Sequence, residues 1–232
     1  MPHLDFSVVL HGQFRDWLIS GFLFSLQLTG LTLVLALPLA ALVALLRLAP
    51  SRLAQALGFL YVEGIRSVPL LVHMLFWYFG APEMLPERAR SWLYSGNVEA
   101  LAAVVALTLY SAAYMAEDIR SGLRAVPKTQ FEAARALGFS FLGSMRRVIL
   151  PQALRITIPP LISQTLNLWK DTSIATVIGV AELMYQAQRV ETASFRGFET
   201  FAVVTAAYLL VSLLITALSA GVQHVLPARA AT

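Results

Sequence analysis

"WLISGFLFSLQLTGLTLVLALPLAALVALL", residues 17–46, contains no charged side chain. About 20 apolar residues carry a helix across the hydrocarbon core of a bilayer, so this run is long enough to span. It is too long for the apolar core of a cleavable secretion signal, and the N-terminus lacks the basic region such a signal needs. It is therefore expected to stay in the membrane as an anchor. Four further stretches read as crossings: residues 53–79, 98–116, 148–169 and 201–222. The second carries Glu63 and Arg66 and the fourth carries Arg155 near its start. The expected fold class is an all-α integral membrane protein with five transmembrane helices.

Composition points the same way. Of 232 residues, 58% are hydrophobic and 13% charged, where a soluble domain carries about a quarter charged residues. Cysteine is absent, which excludes a disulfide framework, a thiolate nucleophile and a cysteine-ligated metal. His3, His11, His73 and His224 have no ligand spacing. The net charge of +4 would suggest nucleic acid in a soluble protein. Beside apolar runs, basic loops instead follow the positive-inside rule.

Sorted by connection, ten of the 17 basic residues fall on one side of the bundle and five on the other, with Arg66 and Lys170 inside apolar segments. The ten lie around Arg47 and Arg52, between spans three and four, and at Arg229. They mark the cytoplasm. The N-terminus is then outside and the C-terminus inside, with 1–16 an extracytoplasmic segment, 17–226 the membrane domain and 227–232 a cytoplasmic tail. Residues 174–198 are too short and too mixed for another crossing and read as a re-entrant or interfacial segment on the outer side. Trp77, Tyr78, Trp92 and Tyr94 read as an interfacial aromatic belt.

The longest polar interruption is "PKTQFEAARALGFSFLGSMRRVILP", residues 127–151. Thr129 and Glu132 form a T-x-x-E pattern, which predicts a helix opening on a reciprocal capping box. Gly138 is placed to end it in the left-handed conformation. At 1.5 Å per residue a helix over about 129–138 is only about 13 Å long, too short to stand alone in water, so it needs a partner surface. Ala133, Ala134 and Ala136 leave little bulk, so that surface can come close. Leu150 and Pro151 begin the next crossing, with proline in the first turn, where its missing N–H does no harm.

The pattern Glu132-Ala133-Ala134, three residues, Gly138, nine residues, Val148, one residue, Leu150-Pro151 resembles the EAA loop of binding-protein-dependent ABC importer permeases. Six of the seven defined positions agree, Val148 standing where isoleucine is usual. "YVEGIRSVPLLVHMLFWYFGAP" (61–82), with Ser67 where glycine is common, "AAYMAEDIRSGL" (112–123) and "LWKDTSIATVIG" (168–179) are similar to the polar amino acid branch of that family. The resemblance extends over about residues 20–222. It implies a type I importer fold whose loop helix couples to a cytoplasmic ATPase dimer through Thr129, Glu132, Ala133, Ala134, Gly138, Leu150 and Pro151. It also implies a second permease subunit, identical or related, an extracytoplasmic solute-binding protein, and a place in a bacterial inner membrane. ATP and Mg would be bound by the partner ATPase and no cofactor by this chain.

"GLRAVPKT", residues 122–129, nearly spells a phosphate-binding loop, with Pro127 where the second glycine belongs. Proline offers no N–H to a phosphate and cannot take a positive φ, and no buried strand precedes the segment. Energy from ATP must come from another subunit.

Charges inside a membrane helix need partners. Glu63 and Arg66, three apart on one face, are expected to neutralise each other, and Pro69, which frees a backbone carbonyl one turn earlier, is expected to kink the second span. Glu117, Asp118 and Arg120 lie at the inner end of span three and read as solvated structural charges. Lys170 and Asp171 are adjacent, about 100° apart on a helix, and cannot pair face to face. With Thr172 and Ser173 they either line the solute path or its gate, or tie helices together.

The expected function is a permease subunit of an ATP-driven importer for a polar amino acid, with a lean to acidic or amide side chains. Alternatives are an ABC permease for another small polar solute, a secondary transporter driven by an ion gradient, and a membrane scaffold without transport. The second would need a cavity-facing carboxylate, for which Glu63 and Asp171 are the candidates, and five spans without a repeat fit it poorly.

Overall fold

In the computed structural model, residues 4–225 are described. The chain folds into helices α1 (Ser7–Leu10), α2 (Gly12–Leu48), α3 (Arg52–Arg66), α4 (Leu70–Leu75), α5 (Glu87–Tyr94), α6 (Val98–Ala125), α7 (Lys128–Ala136), α8 (Phe141–Ser144), α9 (Leu150–Asp171), α10 (Leu183–Ser194) and α11 (Gly197–Val225). No strand occurs among the described residues. His3, Arg229 and the tail expected at 227–232 lie outside them.

Among the described residues, three helices are long and apolar enough to cross a membrane: α2, α6 and α11. The second expected span is broken. α3 and the run Leu70–Met84 meet at 100°, and counted as one bent span they bring the number to four. The expected kink at Pro69 is thus a sharp corner. Proline disfavours helical backbone at the residue before it, and Pro69 restarts the chain as the N-cap of α4 at φ −59, ψ 143. The Ile65 carbonyl freed by the break accepts from His73 Nε2 at 3.0 Å. α9 has 22 residues, but polar side chains and Arg155 keep it from qualifying by apolarity, so length and composition do not establish a fifth crossing.

α6 is the central rod. Half of its most apolar stretch is buried against neighbours, against 6% for α11. α2 lies along it through small side chains: Ala36, Ala40 and Ala44 are buried at four-residue spacing and face a similar alanine surface on α6 around Ala106, Ala112 and Ala116. In lipid, burying apolar surface drives little helix association, and such small-residue faces let helices gain dispersion contacts instead. α9 also packs on α6, and α11 on α9.

Between α9 and α11 the chain makes a 3₁₀ segment (Thr172–Ile178), turns at Gly179 with φ 86, and enters α10, which packs on α2. Glu182 caps α10 by accepting from Met184 N and Tyr185 N at 2.9 and 2.8 Å. It is fully buried and also accepts from Ser25 of α2 and Tyr208 of α11, each at 3.3 Å. One carboxylate therefore joins three helices. The segment read as re-entrant or interfacial is a turn followed by a packed helix. Of the aromatic belt, Trp92 and Tyr94 are exposed, while Trp77 and Tyr78 pack partly on the core around Met74 and Leu107.

Candidate functional site

The EAA segment forms α7, which lies in the connection between α6 and α9. The capping box does not form. Pro127, at φ −58, ψ 138, is the N-cap and no side chain caps the first turn, so Thr129 and Glu132 both lie inside the helix, exposed. Proline's fixed φ and missing N–H suit a helix entrance, so the helix starts before Thr129 can serve as a cap. The Pro127 carbonyl already accepts from Gln130 N at 3.0 Å.

The other end follows expectation. Gly138 takes φ +84. Gly138 N donates to Arg135 O at 3.0 Å and Phe139 N to Ala134 O at 3.1 Å, the paired bonds of a Schellman stop. Ala134 is buried against the rest of the chain, whereas Glu132, Ala133 and Arg135 are exposed. Leu137, Phe141 and Leu142 continue this exposed surface at 80%, 64% and 73%.

α7 is held from behind by Phe131, whose ring meets Phe141 edge-on at 5.7 Å, within an apolar cluster containing Val126, Ile149 and Ala153. Between α7, the end of α2 and the start of α9 lies a cavity of about 670 Å³ whose lining includes Leu48, Phe131, Glu132, Met145 and Leu150. Leu150 and Pro151 open α9 as expected, but a π turn (Met145–Ile149) joins α9 to α8 without a break. Leu150 N reaches back to Met145 O. The wider turn gives room to a proline ring that would otherwise press on the carbonyl four residues earlier.

Lys170, Asp171, Thr172 and Ser173 lie at the opposite end of α9. The structure thus groups the EAA residues with Leu150 and Pro151, and keeps these four apart from them. Lys170 and Asp171 line a cavity of about 440 Å³ with Tyr110, Tyr114, Gln164 and Asn167, within the range of about 300–1,000 Å³ usual for small-ligand sites. Neither makes an ion pair among the described residues. The hydroxyls are already engaged: Thr172 Oγ1 donates to Trp169 O at 2.8 Å and Ser173 Oγ to Lys170 O at 2.7 Å. They satisfy carbonyls where α9 tightens into the 3₁₀ segment.

Sequence reasoning missed most of this cleft. Gln164 donates to Asp118 of α6 at 3.1 Å, and the Tyr110 and Tyr114 hydroxyls are 3.3 Å apart. The available signal was spacing: Tyr110, Tyr114 and Asp118 recur every four residues, and Gln164, Asn167 and Lys170 every three, so each set marks one polar face on a helix.

The Glu63–Arg66 pair is not formed. Glu63 lies 3.9 Å from Arg47, and the Arg66 guanidinium stands 4.8 Å from the Tyr114 ring centroid. Arg47 also bonds Glu117 at 2.6 Å, and Arg120 bonds the same carboxylate. Partners on other helices displace the local one because helix packing brings them closer than an i,i+3 geometry holds its own pair. Glu117 is therefore a tie between helices.

A helical membrane protein with a stopped, outward-facing helix between two of its rods, and a polar cleft beside the same rods, has the organisation of a transport permease. Residues 36–231 match the family described as binding-protein-dependent transport system inner membrane component, and the chain belongs to that family. It is 34% identical over 203 residues to the glutamate/aspartate import permease protein GltJ of Escherichia coli, covering 86% of this chain and 82% of that one. It is 38% identical over 204 residues to the probable glutamine ABC transporter permease protein GlnM of Bacillus subtilis, covering 88% and 89%. A crystal structure of an amino acid ABC transporter with histidines superposes at a TM-score of 0.81, with 32% identity over 94% of this chain and 96% of that one. The inward-facing MetNI methionine ABC transporter, at 20% identity and a TM-score of 0.70, shares the fold. The chain is a permease subunit of an ABC importer, and ATP hydrolysis belongs to a separate subunit.

Proposed function

We propose that the importer carries a polar amino acid, with acidic or amide side chains the preferred class, and that the cleft between α6 and α9 is part of its path. Lys170 and Asp171 line one cavity without pairing to each other, which is the observation that carries this reading. An ammonium and a carboxylate held apart complement the two charges of an amino acid backbone. Gln164 and Asn167 add neutral donors and acceptors on the same face. The relatives named for glutamate/aspartate and glutamine support the class.

The ATPase dimer would seat on α7, with Glu132 and the exposed surface from Leu137 to Leu142 as its contact. Thr129, Ala133 and Gly138 shape that surface, and Leu150 and Pro151 pass its displacement into α9. α9 is then the fifth span, its polar face turned to the cleft, and a second permease subunit covers the open side. The ten-to-five distribution of basic residues supports a cytoplasmic α7, an outer N-terminus and an inner C-terminus. An extracytoplasmic binding protein would deliver the solute to the opposite end.

Uptake of labelled glutamate, glutamine and arginine into vesicles containing the assembled complex tests this. Uptake that requires internal ATP and survives an uncoupler is expected. Uptake abolished by the uncoupler would overturn the ATP-driven reading, and transport of none of the three would overturn the solute class.

A further inference from the structure

At the end of the bundle nearest α7, a second cavity of about 360 Å³ is walled by Arg47, Arg52, Arg120 and Arg124, with Gln55 and Phe59 between them. Four guanidiniums converge there from α2, α3 and α6. Two carboxylates answer them: Glu117 binds Arg47 and Arg120, and Glu63 approaches Arg47. Arg52 and Arg124 are exposed and make no ion pair among the described residues. The cavity keeps a net positive charge that the described residues do not neutralise.

Its construction is specific. Arg47 is only 13% exposed, its guanidinium lies 5.4 Å from the Phe59 ring centroid, and its stem packs on Gly58, where a Cβ would come within 2.7 Å of Cγ. The first turn of α3 forms one wall and adds the positive end of a 15-residue helix. Beside this wall, Leu53, Leu57, Phe59 and Leu60 of α3 are exposed at 70%, 56%, 54% and 70%. A polar anion site with an open apolar flank fits a ligand that is anionic at one end and apolar at the other.

We infer that this arginine cleft binds the phosphate headgroup of an anionic phospholipid, with the acyl chains lying along the exposed face of α3. Two guanidiniums left for the ligand suit a phosphodiester, since arginine meets phosphate oxygens in a two-pronged geometry. A soluble phosphate ester shares the headgroup chemistry but has no apolar part to lie along the exposed face of α3. The inference rests on the chain spanning a membrane and on neither the solute nor the direction of transport.

The test is native mass spectrometry of the intact permease complex, released from detergent with equal amounts of phosphatidylglycerol and phosphatidylcholine of the same acyl chains. Preferential retention of phosphatidylglycerol is expected. Arg52→Gln with Arg124→Gln should lower that preference by about 25-fold, at about five-fold for each arginine near an anionic surface. Arg52→Lys with Arg124→Lys, which keeps both charges, should retain most of it. Arg146→Gln with Arg147→Gln, which removes the same charge elsewhere on α7's side of the bundle, should leave it unchanged. Equal retention of the two lipids by the unaltered complex would overturn the inference, as would an equal loss in the Arg146/Arg147 variant. Displacement of phosphatidylglycerol by soluble glycerol phosphate would overturn the assignment to a lipid. Loss of the ATPase from the Arg52/Arg124 variant with lipid retention intact would assign these arginines to that partner instead. Transport need not be measured, so failure here leaves the proposed function standing.

Discussion

Gly122 of α6 meets Thr157 of α9 so closely that a Cβ placed on Gly122 would lie 1.9 Å from Thr157 Oγ1, while that hydroxyl donates to Ala153 O at 2.8 Å. The two rods approach at this point because one of them has no side chain there. α7 hangs in the connection between them, so their spacing sets where α7 stands.

Gly122→Ala is accordingly expected to force α6 from α9 at a cost of about 1–3 kcal/mol, the range for overpacking. A lower melting temperature in detergent and reduced uptake would register it. Adding Thr157→Ala should recover part of both, since it removes the nearest atom. A fully stable, fully active Gly122→Ala protein would show that the helices part without penalty.

Glu132→Ala should abolish uptake while the protein stays in the membrane, because Glu132 is exposed and its loss leaves α7 intact. Gly138→Arg should do the same for a second reason: a side chain at φ +84 costs about 1–2 kcal/mol and unmakes the stop that ends α7. Uptake assays paired with immunoblots of the membrane fraction check both, and normal uptake by both variants would remove α7 from the coupling path.

Lys170→Ala should lower uptake by about ten-fold or more, equivalent to about 1.4 kcal/mol of lost stabilisation, with the ATPase still copurifying. Asp171→Asn should act in the same direction. An unchanged rate in both variants would reduce the pair to a structural tie.

Glu182→Ala should destabilise the fold more than Glu182→Gln. Alanine leaves Met184 N, Tyr185 N and the Ser25 and Tyr208 hydroxyls without their acceptor, and each buried unsatisfied group costs about 1–3 kcal/mol. Glutamine keeps one oxygen in place. Size-exclusion profiles after heating would separate the two variants, and equal profiles would mean that Glu182 contributes nothing to holding α2, α10 and α11 together.

How much was legible in the chain depended on whether the governing physics was local. Apolar length announced α2, α6 and α11, because crossing a bilayer needs only a run of side chains that tolerate lipid. Pro69 announced a kink in the second span, and Gly138 the end of α7, since both are properties of a single backbone position. The EAA spacing, met at six of seven positions, marks the permease family from the chain alone. What sequence could not settle was which distant groups meet. Glu63 and Arg66 looked like a pair at i,i+3 until helix packing offered Arg47 to one and the Tyr114 ring to the other. Thr129 and Glu132 spelled a capping box that Pro127 pre-empted by starting the helix itself. The cleft around Gln164 and Tyr110, the buried Glu182 that joins three helices, and the four converging arginines exist only once the rods are side by side. Local backbone preference and hydropathy act along the chain, whereas electrostatic pairing and cavity shape are set by distances between helices, and those the tertiary structure decided.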